Sequence, residues 1–179
     1  MTPQLVTAQE VDLFLEHVAR QMSESGQAGT PIFSPIPPNQ KWPKEDYKAK
    51  ALARWAKLLT VAGWERAWAI KVNGKFIAHL DLHSREIATA NHRALIGMGI
   101  EASHRGQGLG NALIKCAIEF AQTNPQTCWL DLRVFSNNIA AHKLYLKHGF
   151  QEVGRTPDMF RIDGQQIEDI LMTLKIIHC

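Results

Sequence analysis

Apolar residues recur at two different periods along the chain, and the local period predicts the local element. Spacings of three and four residues predict helices over residues 11–24, 44–62, 109–121 and 139–148. The first helix follows Thr7-Ala8-Gln9-Glu10, a sequence typical of a capping box. Gly63 and Gly149 are placed to end the second and fourth helices.

Alternating apolar residues predict strands, and two dipeptides that favour tight turns predict hairpins. Asn73-Gly74 joins residues 66–72 to 75–83, and Asp163-Gly164 precedes a last strand over 167–174. Side chains alternate across a strand. The strand over 75–83 is therefore expected to place Phe76, Ala78, Leu80 and Leu82 on one face and Ile77, His79, Asp81 and His83 on the other.

A strand, a helix and another strand follow one another over residues 94–100, 109–121 and 128–135. Such a crossover makes the two strands parallel, whereas hairpin strands are antiparallel. Short strands at 5–6 and 150–153 complete the order β, α, α, β, β, β, α, β, α, β, β, and residues 159–162 are a candidate for a further strand. The predicted fold class is α/β (α+β), with a mixed, mostly antiparallel sheet flanked by helices.

Composition narrows the class of protein. At 179 residues the chain is expected to form one domain, residues 1–179, with a real hydrophobic core. Its net charge of +3 comes without clusters of Lys and Arg, so no nucleic-acid partner is predicted. Three widely spaced cysteines indicate neither a disulfide framework nor a metal knuckle. No export signal or membrane segment is recognised, and a cytoplasmic location is expected.

Residues 30–43 contain five prolines together with apolar and aromatic side chains. A plain linker is usually polar, whereas the side chains of Phe33 and Trp42 need a surface or a ligand to cover them. We therefore favour an ordered lid or substrate-lining loop over a simple connector.

Three glycines, Gly106, Gly108 and Gly110, stand between the strand 94–100 and the helix that follows it. Glycine permits positive φ and lets backbone N–H groups approach a ligand, and a helix N-terminus favours anions. A polyphosphate ligand is expected. A Walker A loop is excluded because no Lys-Ser/Thr follows the last glycine. A dinucleotide fingerprint beginning at Gly97 is a weak alternative, since no amphipathic helix opens directly after it.

The turn Arg105-Gly106-Gln107-Gly108-Leu109-Gly110 resembles motif A of the GNAT family of N-acetyltransferases, which reads Arg or Gln, two residues, Gly, one residue, Gly or Ala. The resemblance implies that the turn amides hold the pyrophosphate of acetyl-CoA. It also implies that Met98, Gly99 and Ile100 bind the pantetheine arm through their backbone. For the Arg105 side chain, a phosphate contact and simple solvation are equal alternatives.

Residues 138–150 resemble motif B of the same family, with Asn138, Ala141, Leu144-Tyr145 and Gly149-Phe150 at the family's spacing. The two motifs together imply the acyl-CoA N-acyltransferase (GNAT) fold, in which acetyl-CoA enters between two parallel strands that splay apart. They further imply that Asn138 contacts the pantetheine and that Tyr145 protonates the departing thiolate, as a phenol can at neutral pH. An ordinary helix cap and a packing residue are the respective alternatives.

The resemblance does not identify the general base. Histone-type relatives have a glutamate at the start of the fourth strand, where this chain has Ala94. Glu101, at the other end of that strand, is interpreted as a turn residue. His79, Asp81 and His83 share one strand face and are the better candidates for amine recognition or for a water-relayed base. A solvated strand face is an equal alternative. No metal is predicted, because acetyl transfer to an amine requires none.

The resemblance implies an acetyl-CoA-dependent N-acetyltransferase in which a deprotonated amine attacks the thioester directly and CoA is released. A small-molecule amine is preferred as acceptor over a protein N-terminus or a lysine. A noncatalytic, CoA-binding regulatory domain is the alternative function. Dimers are common in the family, so a homodimer is an alternative to a monomer that the sequence does not decide.

Overall fold

The computed structural model describes residues 1–36 and 42–177. Residues 37–41 of the proline-rich loop and Cys179 lie outside the described residues. The described elements follow the predicted order, with these bounds: β1 Gln4–Leu5, α1 Val11–Ser23, α2 Lys44–Trp55, β2 Glu65–Val72, β3 Lys75–Ser84, β4 Arg93–Ile100, α3 Leu109–Thr123, β5 Trp129–Phe135, α4 Ile139–Lys147, β6 Gln151–Ile162 and β7 Gln165–Lys175.

The strands form one sheet in the order β1-β2-β3-β4-β5-β7-β6. β4 and β5 are parallel, and the other neighbouring strands are antiparallel. Both hairpin turns have positive φ at their two central residues, as type I′ turns require: 48° and 77° at Asn73-Gly74, and 49° and 75° at Asp163-Gly164. The predicted mixed sheet with flanking helices is confirmed.

The parallel pair is short. β4 and β5 are in register at Arg93–Trp129, Ala94–Leu130 and Leu95–Asp131, and then they part. Asp131 holds the paired end together, because its buried carboxylate accepts hydrogen bonds from Arg85, Arg93 and Thr173. Burial alone would raise the pKa of Asp131, but these hydrogen bonds hold that pKa below its ordinary value. The splay expected between the two strands is therefore present.

The hydrophobic core lies on both faces of the sheet. α3 packs against one face in a cluster that includes Leu80, Leu113 and Leu130. α1 and α2 cover part of the other face, where Phe14 and Ala51 belong to a second cluster. No helix among the described residues is long and apolar enough to cross a membrane.

The second helix ends earlier than the sequence predicts. α2 stops at Trp55 rather than at residue 62, and Leu58 is 71% exposed instead of lying on an inner stripe. Lys57 donates to the carbonyl oxygen of Ala62, and Arg66 donates to that of Lys57. These tertiary hydrogen bonds satisfy backbone carbonyls outside a helix and override the helical pattern. The spacing of three and four residues over 44–62 also predicts Tyr47, Ala51, Trp55, Leu58 and Leu59 as one inner stripe, but Tyr47 is exposed, so that part of the prediction is wrong as well.

The alternation predicted along the second hairpin strand is also partly wrong. Lys71 pairs with Phe76 and Ile70 pairs with Ala78, so Ile77 is an extra, bulged residue. The bulge shifts the phase of the side chains. Phe76 joins the cluster under α1, while Ile77 joins Leu80 on the α3 side.

The C-terminal hairpin is more continuous than predicted. One long strand, β6, replaces two short ones, and its register shifts near Gly154 and again between Thr156 and Phe160. Pro157 lies in the second irregular stretch, next to Asp158 with φ of 50°. Cys116 is a free thiol.

Candidate active site

A cavity of about 730 Å³ opens where β4 and β5 part. α1, residues 31–35, the glycine turn before α3, β5 and α4 form its other walls. The predicted site residues that line it are Phe33, His79, Met98, Gly99, Ile100, Arg105, Gly106, Gly108, Leu109, Gly110, Asn138 and Tyr145.

Four predicted site residues lie outside this lining. Gln107 turns back and donates to the carbonyl oxygen of Ser103. Trp42 packs with the α1 and α2 cluster, its ring centroid 4.7 Å from that of Tyr47. Asp81 and His83 lie behind the cavity wall and bind each other. Phe33 thus fits the predicted lining loop, whereas Trp42 does not.

The glycine turn presents the N-terminus of α3 to the cavity. Gly106 and Gly108 have φ of 75° and 81°, and Gly108 is the N-cap of the helix. Side chains would be strained at both positions. Gly110 serves packing instead, since a Cβ there would lie 2.8 Å from Leu144 Cδ2. The free N–H groups of the first turn can hold an anion, as expected for a pyrophosphate.

The side chain of Arg105 forms hydrogen bonds to three separate segments of the chain. Its guanidinium donates to Ile100 O at 2.9 Å, to Glu24 Oε2 at 2.7 Å and to Thr30 Oγ1 at 3.3 Å. It also lies over the Phe33 ring, 5.6 Å from the centroid. The side chain therefore joins the end of β4 to α1 and to the loop that lines the cavity.

Two residues of the second motif meet at the cavity. Asn138 is the N-cap of α4, and its Oδ1 accepts the backbone N–H of Ala141 at 3.3 Å. Tyr145 lies on the same helix and is 7% exposed. Burial raises the pKa of Tyr145 to about 12, which keeps the hydroxyl protonated and able to donate. Both residues combine a structural role with a place in the cavity wall.

His79 reaches the cavity because the neighbouring strand lacks side chains beside it. A Cβ on Gly99, its cross-strand partner, would lie 2.5 Å from His79 Cε1, and one on Gly97 would lie 2.4 Å from Asp81 Oδ1. The two glycines of β4 leave room for the histidine and the carboxylate of β3. Burial, followed by the neighbouring His17, lowers the pKa of His79 to about 4, so its imidazole is neutral.

Asp81 and His83 form an ion pair next to His79. His83 Nδ1 lies 3.4 Å from Asp81 Oδ2. Burial opposes the charge on each group, but their mutual attraction lowers the pKa of Asp81 and raises that of His83. Glu65 lies nearby, and burial together with Asp81 raises its pKa. The stripe is therefore largely buried and internally paired rather than a solvated strand face.

Sequence reasoning missed several residues of the site. His17 and Gln21 are polar but buried, one helical turn apart on α1, and Gln21 lines the cavity. Their spacing places them on the apolar face of α1, which was the available signal. His104, Asn111 and Arg133 also line the cavity.

The sequence of this chain is similar to those of known acetyltransferases. The chain matches the model of the Acetyltransferase (GNAT) family over residues 30–150. It is 34% identical over 91 residues to N-acetylaspartate synthetase from Danio rerio, covering 51% of this chain and 31% of that protein. It is 24% identical over 101 residues to L-amino acid N-acetyltransferase AaaT from Escherichia coli (strain K12), covering 56% and 62%. The matches thus span less than two thirds of either relative.

Solved structures share the fold. A GNAT-family acetyltransferase from Streptococcus pneumoniae superposes with a TM-score of 0.81 at 21% identity, covering 97% of this chain and 98% of that one. The structure of yncA from Salmonella typhimurium with its cofactor acetyl-CoA gives a TM-score of 0.78 at 17% identity, covering 99% and 95%.

Proposed function

The chain belongs to the acetyltransferase (GNAT) family, and we propose that it transfers the acetyl group of acetyl-CoA to the primary amine of a small molecule. One observation carries the proposal. The cavity between the parted strands is lined both by the glycine turn at the N-terminus of α3 and by Tyr145. An anion site and a proton donor thus share one cavity.

The residues present fit acetyl-CoA. The amides of the turn 106–110 suit its pyrophosphate, because the first N–H groups of α3 have no partner within the helix. Backbone groups of β4 beyond Leu95 are not paired with β5 and are available to an extended arm. When bound, acetyl-CoA supplies an activated acyl group. Tyr145 is placed to donate a proton to the leaving sulfur.

A small acceptor is favoured by the shape of the cavity and by the relatives. α1 and residues 31–35 wall the cavity, whereas a protein substrate needs an open groove. Two relatives are named for reactions of amino acids. Arg133 lines the cavity with a half-exposed side chain, and its Nε and Nη2 are bound to Asp169. Its Nη1 can still donate to an acceptor carboxylate. We therefore propose amino acids as the first acceptors to test.

The proposed function is tested by measuring the Kd for acetyl-CoA by calorimetric titration. Three proteins are compared: the wild type and the variants Asn111→Asp and Gln126→Glu. Asn111 lines the cavity, and its Oδ1 accepts from His148 Nε2 at 3.1 Å, a bond that an aspartate keeps. A carboxylate in the first turn of α3 favours the helix but repels a bound phosphate. A unit charge within several Å costs roughly 1–3 kcal/mol at an effective dielectric of about 20–40, so Kd should rise by about 5–100-fold.

Gln126→Glu adds the same charge beyond the far end of α3, in an exposed side chain, and should leave Kd unchanged. Release of CoA thiol in the presence of each L-amino acid then identifies the acceptor. Absence of acetyl-CoA binding to the wild type would refute the proposed function.

A further inference from the structure

Three side chains from distant parts of the sequence form one hydrogen-bonded chain that reaches the cavity. Glu101 Oε1 lies 2.9 Å from His17 Nδ1, and His17 Nε2 lies 2.9 Å from His79 Nδ1. His17 is fully buried and His79 is 6% exposed, while Glu101 also accepts from Arg20 Nε at 3.0 Å. His79 is the member of the chain that lines the cavity.

Glu101 decides which ring nitrogen donates in each hydrogen bond between Glu101, His17 and His79. A carboxylate only accepts, so His17 Nδ1–H must donate to it. Burial outweighs the attraction of Glu101 and lowers the pKa of His17, so that ring is neutral and its Nε2 is an acceptor. His79 Nδ1–H then donates to His17 Nε2. The remaining nitrogen of His79, Nε2, therefore carries a lone pair.

The lone pair of His79 Nε2 faces a second acceptor. Asp81 Oδ1 lies 3.9 Å away, while its Oδ2 is directed to His83. Two acceptors at this distance repel each other until a donor joins them. An acceptor amine that reaches this lone pair from the cavity can donate an N–H to it. The space over Gly99 and Gly97 is filled by the side chains of β3, since a Cβ there would lie 2.5 Å from His79 Cε1 and 2.4 Å from Asp81 Oδ1.

We propose that His79 is the general base for the acceptor amine, and that His17 and Glu101 are positioning residues that fix the His79 tautomer. This inference rests on the proposed function. In the step, the nitrogen lone pair forms the C–N bond and the nitrogen proton passes to His79 Nε2. The C–S bond breaks, its electron pair stays on sulfur, and sulfur takes a proton from Tyr145. Water returns the proton from His79 to Tyr145, so the amine and the thioester become an amide and a thiol.

Burial, followed by the neighbouring His17, keeps His79 neutral across the working pH range, although Asp81 acts in the opposite direction. His17 on α1 faces His79, and Arg20 and Glu24 lie near the C-terminal end of that helix. The other charged or titratable groups are Asp81 and His83 on β3, Glu65 on β2 and Glu101 after β4. The pKa of His79 is lowered to about 4. The loss of rate as the pH falls should therefore follow the pKa of the acceptor amine and not that of a histidine.

The tautomer can be tested without any acceptor, by 15N NMR of the histidine rings in the full chain. In the wild type, His79 should be neutral and protonated at Nδ1 from pH 5 to pH 8. Glu101→Ala frees His17 to take either tautomer, so a His79 population protonated at Nε2 should appear. A wild-type His79 protonated at Nε2 would overturn the proposal.

Kinetics test the role of the base. His79→Gln should lower kcat by roughly 10²–10⁴-fold while Kd for acetyl-CoA changes less than about twofold. Imidazole added to His79→Ala should restore part of the rate, which a purely structural loss would not allow. His92→Gln, an exposed histidine, is the matched control and should leave kcat unchanged.

The outcomes separate the two proposals. A wild type that acetylates an amine while His79→Gln keeps its full kcat overturns the base alone. A wild type that binds no acetyl-CoA overturns the proposed function and the base together.

Discussion

Replacing Gly99 by alanine tests the placement of His79 over β4. The new Cβ would lie 2.5 Å from His79 Cε1 and 2.7 Å from Gln21 Cδ. Ordinary carbon contacts are about 3.5–4.0 Å, so both side chains have to move by about 1 Å. His79 has little freedom to do so, since it is buried and hydrogen-bonded to His17.

The magnitude follows from these contacts. Overpacking a tight core costs about 1–3 kcal/mol, and loss of the bond between His79 and His17 adds about 0.5–1.5 kcal/mol. We expect Gly99→Ala to lower the free energy of unfolding by about 2–4 kcal/mol. With a urea m-value of about 2 kcal/mol/M, the midpoint should fall by about 1–2 M.

Gly154→Ala in β6 is the control, because a Cβ there meets nothing within 4 Å. Its stability should stay within about 0.5 kcal/mol of the wild type. If Gly99→Ala unfolds at the same urea concentration as Gly154→Ala, then His79 does not occupy the space over β4 and the reasoning about its lone pair fails.

Three further outcomes are expected. Tyr145→Phe should lower kcat by roughly 10²–10⁴-fold in a thiol-release assay, because the leaving sulfur loses its donor, while Kd for acetyl-CoA changes little. Arg105→Ala should cost about 2 kcal/mol in urea unfolding, and the salt dependence of acetyl-CoA binding should not change, since the guanidinium is engaged by Glu24 and by the carbonyl oxygen of Ile100. Asp131→Asn should destabilise the fold by about 2–4 kcal/mol at pH 7, because Arg93 loses its buried carboxylate partner. The pKa of Asp131 is lowered in the folded state, so its contribution is present above the unfolded pKa and disappears as pH falls through the folded one; unfolding midpoints of both proteins should therefore converge in acid.

The glycine turn could be predicted from the sequence because its requirements are local. Gly106 and Gly108 need positive φ, and a helix pattern begins directly after them. The parallel pairing of β4 and β5 could also be predicted, because a strand, a helix and a strand in succession can be connected in few ways. Local geometry and chain connectivity thus decided the order of the sheet and the glycine turn at the N-terminus of α3.

The hydrogen-bonded histidines were beyond a reading of the sequence. His17 lies 62 residues from His79 and 84 residues from Glu101, and only tertiary packing brings them together. Glu101 was interpreted as a turn residue because its local position suits one, yet its carboxylate sets the donors of a buried chain. Trp42 could have covered either a ligand or the core, and packing against α1 and α2 decided for the core.

The sheet ends on both sides in strands that resist further pairing. β1 has two residues, and β6, at the opposite end of the sheet order, is interrupted where Pro157 lacks an N–H and Asp158 takes a left-handed φ. Open strand edges are templates for aggregation, and short or proline-broken edges protect against it. Any contact between two copies of this chain is therefore expected to involve side-chain surfaces rather than the extension of one continuous sheet.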